Sequence, residues 1–199
     1  VSPMAARPDA HLPEAVLRPV RGMHAFETCV EQLATAIRLG VYPRGSTLPP
    51  ERDLAEMLGV SRATLREAMA ALRQAGLVET TRGRGGGTVV TLKPRTPSAR
   101  AAARVSAAKR RDWLDALEFR RVVEPGAAAL AASHDLDEVA LVRLEQAHAD
   151  LELAAGTAEH RQADSRFHLT IAALTDSPRT IEAVTSVQAV LHEMLLAIP

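Results

Sequence analysis

Aromatic residues and cysteine are scarce in this sequence. Phe, Trp and Tyr make up 3% of the 199 residues, so the 47% that is hydrophobic consists largely of Ala, Leu and Val, the packing residues of helical bundles. A single cysteine, Cys29, excludes an internal disulfide framework and points to a reducing compartment. Alone on an apolar helical face, it reads as a small buried hydrophobe. No apolar run reaches the ~20 residues that a membrane span requires, and residues 1–20 lack the continuous apolar stretch of a signal peptide. A cytoplasmic protein with no membrane partner is expected. Net charge is missing as well, because 24 Lys and Arg offset 24 Asp and Glu. The charges are nevertheless segregated. Residues 21–95 hold 11 basic and 7 acidic side chains, residues 96–111 hold 5 basic and none acidic, and residues 112–199 hold 6 basic and 15 acidic. A basic front and an acidic rear suit a phosphate-facing module joined to a domain that avoids phosphate; two ordinary solvated surfaces fit the charges alone equally well.

Four prolines and no helical period mark residues 1–20 as a flexible arm. Over residues 24–39 Phe26, Val30, Leu33, Ala34 and Ile37 recur at helical spacing, and Gly40 supplies a stop. A turn-rich stretch leads to Pro50, suited to the first turn of a second helix because its missing N–H costs nothing there. Leu54, Ala55 and Leu58 mark the buried face of that helix. Gly59 and Val60 then turn the chain, and Ser61 is a good N-cap for a third helix that runs to about Ala75. Residues 77–81 and 88–92 read as two short strands around a loop of arginines and glycines, a small β-wing. Residues 94–111 read as a linker or an exposed helical connector. From residue 112 onwards the patterns are all helical, with Pro125 expected to kink the first helix or divide it in two. The expected fold is mainly α: a winged helix-turn-helix over residues 21–93, then an all-α helical bundle over residues 112–199.

Two short helices joined by a tight glycine turn, with arginines at the start of the second, match helix-turn-helix geometry for double-stranded DNA. Arg62 and Arg66 are the candidates for base edges, since a guanidinium can form two hydrogen bonds to guanine. Ser61 and Thr64 offer hydroxyls to phosphate, and Arg52 can reach the backbone or an adjacent base. In the wing, Gly83 permits close main-chain approach to the minor groove, with Arg82 and Arg84 as its charge. The glycine run at 85–87 lacks the Gly-Lys-Ser/Thr ending of a phosphate cradle.

The segment 40–92 also resembles the DNA-binding domain of GntR-type regulators. The resemblance rests on G-V-Y-P-R-G at 40–45, L-P-P-E-R-D-L-A at 48–55, G-V-S-R-A-T-L-R-E-A at 59–68 and L-R-Q-A-G-L-V at 72–78, in order and at family spacing. It implies DNA contact by Arg52, Arg62, Arg66 and Gly83. Ala63 departs from members that carry a hydroxyl there, so the operator sequence does not carry over.

Residues 112–199 resemble the FCD domain of the FadR-like branch, on E-F-R-R-V-V-E-P-G-A-A-A-L-A-A at 118–132 and D-S-R-F-H-L-T-I-A at 164–172. Asp164 and His168 lie four apart, stacked on one helix face, and form part of a plausible site for Zn²⁺ or Ni²⁺. The resemblance implies two further histidines on later helices; the sequence ends before them, so the domain reads as truncated. His134, His148, His160 and His192 read as ordinary surface or core residues. Arg121 matches an arginine that faces the ligand cavity in the family and suits an organic acid's carboxylate; an ion pair with Glu118 or Glu124 is the alternative. Phe167, Ile171 and Leu174, then Ile181, Val184, Leu191 and Leu195, are expected core. The function implied is a homodimeric transcription regulator, expected as a repressor, that binds a DNA operator and is controlled by a small carboxylate, with a divalent metal in the intact helical domain. The competing reading is a metal-dependent enzyme with an accessory DNA-binding domain.

Overall fold

The computed structural model describes residues 11–19, 24–81, 87–93, 103 and 105–197. It divides into two compact units, Val1–Lys93 and Pro94–Pro199. Among the described residues the fold is mainly α, with a single two-stranded sheet, and no helix is long and apolar enough to cross a membrane.

The first unit contains α1 (His11–Val16), α2 (Ala25–Arg38), α3 (Glu51–Leu58), α4 (Arg62–Gln74), β1 (Val78–Thr81) and β2 (Gly87–Val90). Within the expected arm, His11–Val16 is helical; residues 1–10 and 20 lie outside the described residues. Pro13 sits in the first turn, where helical N–H groups have no partner to lose, and Leu12, Val16 and Leu17 are buried. α2 packs on α4, and α3 on α4, around fully buried Leu33, Ile37, Leu54, Leu58, Leu65, Met69 and Leu72. The buried stripe of α2 is rotated from the one expected: Cys29 and Ala36 lie inside, whereas Phe26 is exposed and Val30 half-buried. The α3–α4 turn closes as a Schellman motif, with Val60 N–H donating to Ala55 O at 3.0 Å and Gly59 in the left-handed region at φ 62°.

β1 and β2 pair antiparallel, Val78 opposite Val90 and Thr81 opposite Gly87. Residues 45–48 add a short third lane, since Leu48 N–H donates to Thr88 O at 2.8 Å and Val90 N–H to Ser46 O at 2.9 Å. The wing is thereby tied to the segment that launches α3.

The second unit is a bundle of α5 (Ala107–Ala132), α6 (Glu138–Leu153), α7 (Thr157–Ala173) and α8 (Pro178–Ala197). α5 begins inside the expected linker, because Ser106 caps it by accepting from Lys109 N–H at 3.1 Å, and Lys109 pairs with Asp112 and Glu193. It also continues through Pro125 as one helix. α5 packs against α8 and α7, α6 against α7, and α7 against α8. The core stripe of α7 is Gln162, Ser165, Leu169 and Ala172; Phe167, Ile171 and Leu174 are only half-buried. Both stripes have helical spacing, and the one that carries small and polar residues is the one that faces inward. On α8, Ile181, Val184 and Leu191 are buried as expected, while Leu195 is exposed.

Candidate functional site

The start of α4 forms the first candidate site. Ser61 caps the helix, its Oγ accepting from Thr64 N–H at 3.0 Å and lying 2.9 Å from Thr64 Oγ1. Leu65, Ala68, Met69 and Leu72 hold the opposite face in the core, so Arg62 and Arg66, one turn apart, face outward together. Arg62 is exposed and makes no ion pair or hydrogen bond with a described residue. Arg66 Nε donates to Glu51 Oε2 at 3.0 Å. Arg52 Nε donates to Asp53 Oδ1 at 3.0 Å. Exposed pairs of this kind contribute about 0–1 kcal/mol. The α4 N-terminus adds backbone N–H groups and the positive end of the helix dipole. Arg82 and Gly83, expected in the wing, lie outside the described residues.

The second candidate site is a pocket of about 550 Å³ in the helical unit, lined by α5 and α7, with Arg120, Arg121, Glu124, Pro125, His168 and Ile171 in its wall. Arg120 is its organising cation. Its Nε donates to Glu124 Oε2 at 2.6 Å, and its Nη2 lies 3.2 Å from His168 Nε2. The other ring nitrogen of His168, Nδ1, lies 3.4 Å from Glu124 Oε2. Asp164 Oδ1 lies 3.7 Å from His168 Nε2. The neighbouring His168 ring, helped by charge on Arg120 and opposed by burial, holds the Asp164 carboxyl below its ordinary range. Behind the pocket wall, Gln188 Nε2 donates to Glu124 Oε1 at 2.7 Å and Ser165 Oγ to Gln188 Oε1 at 3.0 Å. Gln188 is 1% exposed, so this chain ties α5, α7 and α8 together inside the unit.

Asp164 and His168 are brought together as their spacing implies, but they do not by themselves fit a divalent ion. His168 directs one ring nitrogen at the Arg120 guanidinium and the other at Glu124. Among the described residues no group of three or more His, Cys, Asp or Glu side chains is arranged to hold a metal. Arg121 lines the pocket, yet its side chain is 77% exposed and pairs with Glu118 at 3.5 Å. The sequence singles out Arg121 rather than Arg120, whose partners are Glu124 on its own helix and His168 on α7. Glu124, Gln188 and Ser165 were also missed; the available signal was a glutamine inside the apolar stripe Val184, Val187, Leu191, where a polar group requires a partner.

The sequence matches the profile of the family described as "Bacterial regulatory proteins, gntR family" over residues 26–90 and that of the FCD domain over residues 115–198. RmpR of Mycobacterium gastri, described as an HTH-type transcriptional regulator, is 34% identical over 186 residues, 87% of this chain and 63% of that protein. The HTH-type transcriptional regulator Mce2R of Mycobacterium tuberculosis is 49% identical over 67 residues, 34% of this chain and 28% of that protein. The chain therefore spans less than two thirds of the length of these relatives. A solved structure, Streptococcus agalactiae GntR, is 28% identical, with 85% of this chain and 82% of that one covered at a TM-score of 0.41. Because the two profiles match in succession and together take in both structural units, the chain belongs to the GntR family of bacterial regulatory proteins, in the branch that carries an FCD domain.

Proposed function

We propose that this protein is a sequence-specific transcription regulator, a repressor acting as a homodimer, that reads double-stranded DNA through α4 and responds to a small carboxylate bound in the helical unit. The observation that carries the reading is the start of α4: a capped helix end with Arg62 and Arg66 held outward by a buried opposite face. Each guanidinium that pairs with a guanine gives about 1–3 kcal/mol of discrimination. A dimer would present two such helices to half-sites one helical turn apart.

In the helical unit, the Arg120 guanidinium is the natural receptor for a carboxylate, with Arg121 at the rim and Ile171 and Pro125 for apolar contact. A ligand carboxylate would compete with Glu124 for Arg120 and, through Gln188, alter the packing of α8 on α5. Operator affinity changes only if the ligand binds the free and DNA-bound forms unequally.

Selection from a library of duplexes with a randomised core tests the DNA half. Wild type should enrich a two-fold symmetric motif, and Arg62→Ala with Arg66→Ala should abolish the enrichment; an unchanged motif in the double variant would refute the contact assignment. A thermal-shift panel of mono- and dicarboxylates tests the pocket. At least one should raise the melting temperature of wild type but not of Arg120→Gln, and a panel with no such member would remove the carboxylate reading.

A further inference from the structure

We propose that Glu51 is a positioning residue for base reading: it grips the inner edge of Arg66 so that the outer edge of the guanidinium reaches DNA already oriented. This rests on the reading of Arg66 as a base contact. Glu51 opens α3 and Arg66 lies on the second turn of α4, fifteen residues later, so the Schellman turn at Gly59 sets the distance between them. The bond uses Nε of Arg66. Nη1 and Nη2 make no hydrogen bond to a described residue, and two parallel N–H groups of the same planar fork are what bidentate recognition of guanine takes.

The pair is not buried: the Arg66 side chain is 67% exposed and that of Glu51 44%. Its contribution to stability is therefore small, and its consequence lies elsewhere. An arginine side chain has many rotamers, and a long one held in advance loses less freedom on binding. Arg62 has no such holder among the described residues. The two arginines of one helix thus differ: Arg66 is pre-aimed and Arg62 is free to follow phosphate or base. An acidic side chain at the start of α3 also favours the helix dipole, a structural role that would leave base preference untouched.

The same randomised-duplex selection separates these roles, using the full chain as wild type, Glu51→Ala, Glu51→Gln and Arg66→Ala. Arg66→Ala should erase one base preference in each half-site. Glu51→Ala should weaken that same preference about fivefold to tenfold, within the range one bidentate contact spans, and leave the other positions alone. Glu51→Gln, whose amide oxygen still accepts from Nε, should retain most of it. Superimposable melting curves establish that the variants fold. If Arg66→Ala changes no position, the base-contact reading itself fails and the proposal with it. If Arg66→Ala erases a preference that Glu51→Ala leaves intact, the positioning role alone is overturned. It is overturned equally if Glu51→Ala tightens binding to all sequences alike, because Glu51 is then only a charge that repels phosphate.

Discussion

Gln188 offers the sharpest test of the helical unit, because it is buried at 1% exposure and satisfied at both ends. Replacement by leucine keeps the volume and removes both hydrogen bonds. The bond to the Glu124 carboxylate, at 2.7 Å, is of the charged kind, worth about 1.5–3 kcal/mol, and the bond from Ser165 is of the neutral kind, worth about 1 kcal/mol. Burying leucine returns about 1–2 kcal/mol, so Gln188→Leu should destabilise the unit by about 1–3 kcal/mol. Ser165→Ala should cost about 1 kcal/mol in wild type and close to nothing in the leucine background, a coupling of about 1 kcal/mol. The assay is urea unfolding followed by the fluorescence of Trp113, the only tryptophan, which lies on α5 and is buried. It therefore reports on this unit. With a slope of about 1–1.5 kcal/mol per molar urea for a unit this size, the midpoint should fall by about 0.7–3 M. Equal costs of Ser165→Ala in the two backgrounds would refute the network, since independent residues add.

Ser61→Ala should lower the stability of the first unit by about 1 kcal/mol through loss of the α4 cap, whereas Ser61→Asp should keep the cap yet weaken DNA binding by adding negative charge beside Arg62; urea unfolding and duplex binding on the two variants separate the effects. Gly59→Ala meets both a left-handed backbone and Pro19 Cβ at 3.1 Å, so it should cost about 1–2 kcal/mol; near-ultraviolet circular dichroism of Tyr42, the only tyrosine, reads the transition, and a wild-type midpoint would count against the turn as described. Burial pushes the Cys29 thiol up to about 11 from 9.0. The unfolded chain therefore ionises first, and stability should fall as pH rises from 9 towards 11, by about 1.4 kcal/mol per pH unit. Cys29→Ala should flatten that limb. At pH 8 iodoacetamide should label the thiol only as fast as the chain opens, and rapid labelling of the native protein would contradict its burial.

The helix-turn-helix is legible in the sequence because local signals determine it. Ser61 caps, Gly59 turns, and the stripe Leu65, Ala68, Met69, Leu72 faces the core, each within a few residues of its effect. What escapes reading depends on partners distant in the chain. Leu12 and Val16 have helical spacing, but only contact with the rest of the unit makes a six-residue helix persist. Between Arg120 and Arg121, adjacent in sequence, nothing local decides which turns towards His168, 48 residues away. On α7, periodicity permits two stripes. The inward one was found by tertiary partners: Ser165 had Gln188 to bond, whereas Phe167 and Ile171 border the outside and the pocket.

Pro19 rests against Gly59, and Arg18 N–H donates to Gln32 Oε1 at 2.8 Å. A fragment excised at residue 26, where the family profile starts, would discard that cover and leave the surface beneath Leu12, Val16 and Leu17 wet. Expression boundaries for the first unit therefore belong upstream of residue 11.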